Sequence, residues 1–474
     1  MTPEATQEGS PPATYPDPPE KVRRSRELSR LSVHGWIAGV AGAITVLVMG
    51  YLGSSREVLT KGWALFGGQG NPALATAFPL LVIAAVMFVI EIGIRLKVDR
   101  GSILVMPEDL RSGGMGRFLR ECVAIYAVEV GLLSLALGVF QFTNEYGFQR
   151  NAEYYRPWFS VMRIFFWIYV YGGLPYVMLT RAFQHDPRAD KRQAAFTVIK
   201  AGRRLLHRLD ARFEAPEPFA AGDRTAVLGL FVKLFFVPLM TVFFADQFSH
   251  LIKNVAYVKD LIFPSPGHSP SFGIRDFYNV SFTVIFSIDV GLAWAGYVVS
   301  SRWIKNGMYS VEPTVLGWVV ALLSYPPFNR VFGFYFSTPG ENGFLSISSH
   351  PAVVFLASCS VLSFLGYMSA TVCFGLRFSN LTHRGIITTG PYAVVRHPAY
   401  AAKNFSWWCV MLPYALYDAW TKQSTGPLLL VLGLVVMSSI YYMRAITEER
   451  HLGLDAEYRA YAKKVPYRFI PGVI

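Results

Sequence analysis

Apolar residues along this chain fall in long unbroken runs, and polar residues collect between the runs rather than alternating with apolar ones. An α-helix needs roughly 20 apolar residues to cross a bilayer core of about 30 Å. Ten runs of suitable length and character are read, at residues 36–53, 77–95, 120–142, 158–180, 225–247, 278–300, 314–336, 351–376, 404–420 and 426–444. The expected fold is therefore all-α, a polytopic integral membrane protein. A transmembrane barrel is excluded because its strands alternate apolar and polar positions.

Polar residues inside the runs change this picture locally. Tyr325-Pro326-Pro327-Phe328 breaks the seventh run, because each proline removes a helix donor and crowds the preceding turn. Freed backbone at membrane depth survives only where protein or a cavity covers it. Glu129 and Asp289 also lie inside apolar runs and are expected to face cavities rather than lipid. Asp289, Arg302, Glu312 and the two prolines are candidates for lining a substrate chamber; structural pairing and helix kinking are the alternative.

The segments between runs divide the chain. Residues 1–32, rich in Pro, Glu, Ser and Arg, cannot build a core and are expected to be a disordered, basic tail. A secretory signal peptide is not expected, since the first apolar run starts late and no small-residue cleavage site follows it. Residues 33–350 form the transmembrane region, with a long basic loop at 181–224, and residues 351–474 form a C-terminal core. Within the loop, Ala195, Phe196, Ile199, Leu205, Leu206 and Leu209 make an apolar stripe opposite Lys200, Arg203, Arg204 and Arg208. Such a helix either lies on the membrane surface or packs on the transmembrane body.

Composition agrees with the membrane reading. Hydrophobic residues make up 53% of the chain and charged ones 16%, against about 25% charged in soluble domains. The net charge of +13 raises nucleic-acid binding as a possibility. The distribution of the charge argues against it: basic residues crowd alternate loops, as in membrane proteins whose cytoplasmic loops are basic. Arg95, Lys97, Arg100, Arg111 and Arg117 fill the second loop and Arg181 to Arg224 the fourth, whereas the seventh has no Lys or Arg between Tyr335 and His350. Both termini are thus expected in the cytoplasm. The fifth loop, with Lys253, Lys259 and Arg275, fits least well. Cys122, Cys359, Cys373 and Cys409 sit in or beside apolar runs with no CxxC pair, so they read as small buried hydrophobes and imply no metal site or disulfide.

The stretch that carries chemistry is RGIITTGPYAVVRHPAY, Arg384 to Tyr400, followed by two apolar runs and then Arg444-Ala445-Ile446-Thr447-Glu448-Glu449. Two crossings return the chain to the face it left, so Arg396, His397 and Tyr400 share a side of the membrane with Arg444 and Glu448. A cluster of Arg, His, Tyr and Glu at a membrane surface is costly unless the groups are paired or hold a ligand. Snorkelling interfacial anchors are the plainer explanation, but anchoring does not call for Gly-Pro-Tyr or His-Pro.

GPYxxVRHPxY, the helical hairpin, RxxxEE, YxxY and the final Ile-Pro, in that order, resemble the C-terminal core of isoprenylcysteine carboxyl methyltransferases, a layout shared with phospholipid N-methyltransferases. The resemblance covers about the last hundred residues. It implies a membrane-embedded pocket for S-adenosylmethionine, enclosed by the helical hairpin and open to the cytoplasm, and a lipophilic acceptor that enters from the bilayer. Carried over residue by residue, it implies cofactor contacts at Arg384, Gly385, Ile386, Ile387, Tyr392, His397, Pro398, Ala399, Tyr400 and Glu448. Arg384 stands where the family more often has a His. Arg444 matches the arginine that approaches the reacting group of the acceptor. The closing residues VPYRFIPGVI also resemble the end of the sterol C14 reductases, ten-span proteins that bind NADPH in a similarly placed pocket. Ala399, Gly390-Pro391-Tyr392 and Tyr458 have the methyltransferase form, so methyl transfer is the first expectation and NADPH-dependent reduction of a sterol or polyprenoid double bond the alternative.

Overall fold

The computed structural model describes residues 34–55, 72–98, 114–142, 156–183, 193–210, 216–264, 271–329, 351–423, 425–426 and 429–473. The N-terminal tail and the last part of the expected seventh run, residues 330–336, fall outside these residues. The described helices are α1 (Gly35–Gly53), α2 (Pro72–Val98), α3 (Met115–Phe142), α4 (Arg156–Phe183), α5 (Ala194–Leu209), α6 (Ala221–Ile262), α7 (Ile274–Val298), α8 (Val315–Leu322), α9 (Pro351–Phe374), α10 (Pro398–Lys422), α11 (Leu429–Leu452) and α12 (Ala456–Lys464). Two short strands, β1 (Ser310–Val311) and β2 (Thr382–His383), pair antiparallel, with Ser310 opposite His383.

The chain is an all-α polytopic membrane protein: among the described residues, eight helices are long and apolar enough to cross a bilayer. They are α1 to α4, α6, α7, α9 and α11. The ninth expected span is a helix of 25 residues, α10. It starts at Pro398, earlier than residue 404, because a proline is well placed at the first helical position, and it carries Lys403 and Asp418. Among the described residues of the seventh expected span, the α-helix is α8, eight residues long. It stops at Leu322, just ahead of Tyr325-Pro326-Pro327, so the break falls where the prolines forbid continuation.

Helix α6 has 42 residues, roughly 63 Å at 1.5 Å per residue, twice the bilayer core. Its end accounts for the misfit of the fifth loop. Lys253 and Lys259 are helical residues of α6, and the Lys259 ammonium donates to Ser54 Oγ at 2.7 Å and lies over the Tyr51 ring. Lys259 joins α6 to the end of α1, so it is a poor marker of sidedness.

The core is built by α1, α2, α6 and α7 around Phe236, Phe244, Trp294 and Tyr297. The Trp294 indole donates to Thr241 Oγ1 at 2.9 Å, so its polar edge is satisfied inside the bundle. Helices α1 and α9 approach so closely that a Cβ at Gly39 would stand 2.0 Å from the Val372 carbonyl oxygen. Small residues at such crossings let backbones meet where lipid supplies no hydrophobic driving force. Cys122, Cys373 and Cys409 are buried and Cys359 is half-buried. Helix α5 forms as the stripe predicted. Ala195, Phe196 and Ile199 pack with Phe118, Cys122 and Ile125 of α3, while Leu205, Leu206 and Leu209 are exposed. The helix therefore docks on the body with one half and leaves the other half apolar and open.

Charged groups inside the bundle are paired. Glu129 accepts the Tyr169 hydroxyl. Glu91 of α2 meets Arg377 at 2.7 Å, with 3% and 1% of the side chains exposed. Removing one member of such a pair strands the other. Glu91→Gln is expected to lower stability by about 3 kcal/mol. Glu121→Gln removes the more exposed partner of Arg181 and is expected to cost about 1 kcal/mol or less. Thermal unfolding of the two variants in detergent tests the contrast.

Candidate functional site

The site forms where the chain leaves the helices. After α7 the backbone runs through residues 299–314, and after α9 through residues 375–397, and β1–β2 join the two segments. Their carbonyls need donors. Arg384 supplies them: its Nε donates to the Asn306 carbonyl at 2.7 Å, and its Nη atoms to the carbonyls of Gly296, Phe378 and Val299 and to Ser300 Oγ. Asn306 adds Nδ2 donations to the Val299 and Leu376 carbonyls. Burial and the nearby Arg377 cation pull the Arg384 pKa down to about 9, so the guanidinium stays charged at neutral pH. A cation here also suits the C-terminal end of the α7 dipole.

A cavity of about 190 Å³ lies between these segments and helices α9, α10, α11 and α12. Nine of the residues singled out from sequence line it: Gly385, Ile386, Ile387, Tyr392, His397, Ala399, Tyr400, Arg444 and Glu448. Arg384 and Pro398 do not. Arg384 is wholly engaged with backbone carbonyls, and Pro398 opens α10. Among the proposed chamber residues, Glu312 lines the cavity, while Asp289 sits behind Tyr367 and Thr371, which both donate to its carboxylate and line the wall in its place. Tyr325 lines the cavity beside the two prolines, which do not. The side chain of Arg302 lies outside the described residues.

The turn before α10 starts with Gly390 at φ +60°, in the left-handed region that favours glycine. It sends Tyr392 into the cavity wall, where Tyr461 of α12 donates its hydroxyl to the Tyr392 carbonyl at 2.7 Å. Burial raises the pKa of Tyr392, Tyr458 and Tyr461 above the usual tyrosine value, so all three remain neutral donors. His397 caps α10, and its ring stacks flat on Tyr400 one turn along, 5.5 Å between centroids.

Two neighbouring glutamates on α11 have separate roles. Glu449 collects three partners: Arg396 Nε at 2.8 Å, Arg468 Nε at 3.0 Å and His397 Nε2 at 3.2 Å. The chain end is drawn in by the same arrangement, with the Arg396 and His397 amides donating to the Tyr467 and Arg468 carbonyls. Glu448 faces the cavity, accepts the Tyr400 hydroxyl and stands 3.7 Å from His397 Nδ1. Arg444 is 4% exposed. Its guanidinium lies 4.9 Å from the Tyr400 ring centroid, with Tyr325 and Tyr441 each at 5.9 Å, and donates to Asn380 Oδ1 at 3.1 Å. Asn380 is itself held by the hydroxyls of Tyr297 and Tyr325. Among the described residues, no ion pair joins Arg444 to Glu448. Tyr400 lies between them, hydrogen-bonded to Glu448 and stacked under Arg444.

A second polar cluster lines the opposite wall. Glu312 contacts Arg450 at 3.1 Å and His451 Nδ1 at 3.3 Å, and His451 Nε2 meets Ser310 Oγ at 2.7 Å. The order resembles a nucleophilic triad. Ser310, however, lies behind the imidazole and off the cavity lining, so here it sets the orientation of His451. Four buried polar atoms on this one cavity have no hydrogen-bond partner: Ser324 Oγ, Thr382 Oγ1, Arg444 Nε and Tyr458 OH. Buried polar atoms are almost always paired. Their gathering on one surface marks it as built for a polar ligand.

Sequence reasoning missed Asn380, Lys403, Tyr441, Thr382 and His451 of the lining, and the role of Glu449. Glu449 was visible in the RxxxEE pattern. The others carry no motif and are brought in by the loop after α9 and by the helix faces of α10 and α11.

Residues 373–465 match the model of a family described as "Protein of unknown function (DUF1295)", which is associated with membrane enzymes of the steroid 5-alpha reductase and isoprenylcysteine carboxyl methyltransferase kinds. No curated protein and no solved structure matches the chain. The matched stretch contains every residue from Arg384 to Tyr461 named above, whereas Glu312, Ser324, Tyr325 and Tyr367 come from the part of the chain before it.

The division between the two glutamates has a direct consequence. Glu449→Gln leaves Arg396 and Arg468 without a counter-charge, and is expected to cost about 2 kcal/mol of stability. Glu448→Gln is expected to cost less, because Glu448 accepts one tyrosine hydroxyl, which a glutamine oxygen can also accept, and makes no direct arginine contact among the described residues. Detergent melting curves of both variants make the comparison.

Proposed function

We propose that the protein transfers a methyl group from S-adenosylmethionine to a lipophilic acceptor drawn from the bilayer. The observation that carries this reading is the convergence of four unpartnered polar atoms with the residues of the RGII, GPY, RHPAY and RAITEE segments on one cavity. The residues fit the cofactor. It presents an ammonium, a carboxylate and hydroxyls, together with a sulfonium and an adenine. Glu448 and Glu312 are acceptors for the ammonium or ribose hydroxyls, and Tyr458 and Thr382 offer hydroxyl donors to its polar edges. Tyr392 and Tyr400 give aromatic faces for the adenine or the sulfonium.

S-adenosylmethionine supplies an activated methyl group that a nucleophile takes in one displacement. What the chain must add is alignment and dryness, because proximity carries much of the rate. Phe374, Tyr367 and Tyr441 wall the cavity with aromatic surface. Arg444, fixed by Asn380 and three tyrosine rings, is a rigid donor fork for the reacting end of the acceptor.

Side-by-side calorimetric titration of the purified protein with S-adenosylmethionine and NADPH tests the cofactor, and binding of NADPH alone would transfer the reading to the reductase class. Glu448→Gln is expected to weaken S-adenosylmethionine by about 1–3 kcal/mol, the worth of one charge-assisted hydrogen bond. Arg444→Lys is expected to keep cofactor affinity and depress turnover, since an ammonium cannot reproduce the guanidinium fork. Equal cofactor affinity in wild type and Glu448→Gln removes the assignment of Glu448.

The cavity side of the membrane, with both termini, is assigned to the cytoplasm on the distribution of basic loops. A single cysteine placed at Ser346 is then expected to react with an impermeant maleimide in intact cells. Reaction only after the membrane is opened reverses the topology.

A further inference from the structure

We propose that the exposed half of α5 is a binding surface for acidic phospholipids of the leaflet beside it. This surface stands outside the cavity, and the inference does not depend on which cofactor the cavity holds. The docked half of α5 sets its height. Ala195 and Ile199 pack in one cluster with Phe118, in the first turn of α3, and with Val177 and Ala182, in the last two turns of α4. Both of those helices are long and apolar enough to cross a bilayer, so α5 lies where hydrocarbon gives way to headgroups. It is on the cavity side. Thr197 and Lys200 of α5 donate to Asp223 in the first turn of α6. The next residue, Arg224, donates to the carbonyl of Pro313, beside Glu312 of the cavity wall.

Two features of the free half point to a charged lipid surface. Val198, Leu205 and Leu209 recur at spacings of seven and four, so they share one helix face, and Leu206 borders it. All four are exposed, Leu209 by 75%. An apolar face of this kind is costly in water and favourable against acyl chains. The second feature is charge. Helix α5 contains Lys200, Arg203, Arg204 and Arg208 and no Asp or Glu, and the acid nearest to its end is the C-cap residue Asp210. Lys200 is held by Asp223, and Arg204 by the Glu217 carbonyl and the Phe219 ring. Arg203 and Arg208 are exposed on either side of the leucine face, and no hydrogen bond or ion pair among the described residues holds them. Leucines can thus enter the acyl boundary while the two guanidiniums snorkel to phosphates. A zwitterionic leaflet serves the leucines alone. An acidic one also attracts the arginines. A soluble protein would have to displace lipid to reach a face at this height.

The test uses the full chain, one copy per nanodisc, in phosphatidylcholine alone or mixed with phosphatidylglycerol. Amide hydrogen exchange is followed along residues 194–209. Residues 201–209 are expected to exchange at least about tenfold more slowly with phosphatidylglycerol than without it, and residues 194–199 equally slowly in both lipids. High salt is expected to remove the difference in the wild-type protein, a comparison that needs no variant. Arg203→Gln/Arg208→Gln is expected to remove it at low salt, and Leu205→Ser/Leu209→Ser to leave residues 201–209 fast in both lipids. Equal exchange of wild type in the two lipids overturns the proposal. So does a difference that survives either high salt or the arginine substitutions. Protection that arises only in discs holding two copies also overturns it, and assigns the face to self-association.

Discussion

Backbone that leaves a helix inside a membrane protein must find new partners for its carbonyls, and here one side chain meets most of that demand. The Arg384 guanidinium donates to the carbonyls of Gly296, Val299, Asn306 and Phe378. Gly296 lies in the last turn of α7, and the other three belong to the two irregular segments that follow α7 and α9. Arg95 of α2, which donates to the Trp303 carbonyl, and Arg377 just after α9, which pairs with Glu91 and donates to the Ile304 carbonyl, serve the same region. Irregular backbone at this depth is tolerated only when so satisfied. Without these buried cations the loops that form the cavity would have no reason to hold their shape, and Asn380, which orients Arg444, would lose its place.

The cavity depends on a second division of labour, between charges that hold the fold and charges left for a ligand. Glu449 is saturated by Arg396, His397 and Arg468, and so ties α10, α11 and the chain end together. Its neighbour Glu448 faces the cavity with a single tyrosine hydroxyl. Arg396 and Arg444 divide in the same way: Arg396 is bound to Glu449 and two carbonyls, whereas Arg444 has one amide and three aromatic rings. A rigid surround with incompletely satisfied polar groups at its centre is the arrangement expected of a preorganised binding site.

The part of the chain ahead of the matched family region is more than an anchor. Glu312, Ser324, Tyr325 and Tyr367 reach the cavity from it, and the Tyr297 hydroxyl of α7 accepts from the amide nitrogen of Asn380. The α8 helix, cut short by the prolines, carries the chain back so that Tyr325 stands near Arg444. These contributions come from outside the stretch that the family model matches.

The linear order of residues was enough to determine the membrane class, the positions of most spans and nine members of the cavity between Gly385 and Glu448. Length of apolar run and motif order are local properties, and the bilayer enforces them one helix at a time. The end of α8 was legible for the same reason, since a proline acts on its own turn. Tertiary structure alone decided that Arg384 faces backbone and not ligand, that Asp289 stands behind Tyr367, that Glu449 binds the fold while Glu448 faces the cavity, and that Asn380 and Lys403 belong to the site. The physical reason is the same in each case: whether a buried charge is spent or available depends on which distant carbonyls, hydroxyls and rings lie within a few ångströms of it, and helix packing, not spacing along the chain, sets that.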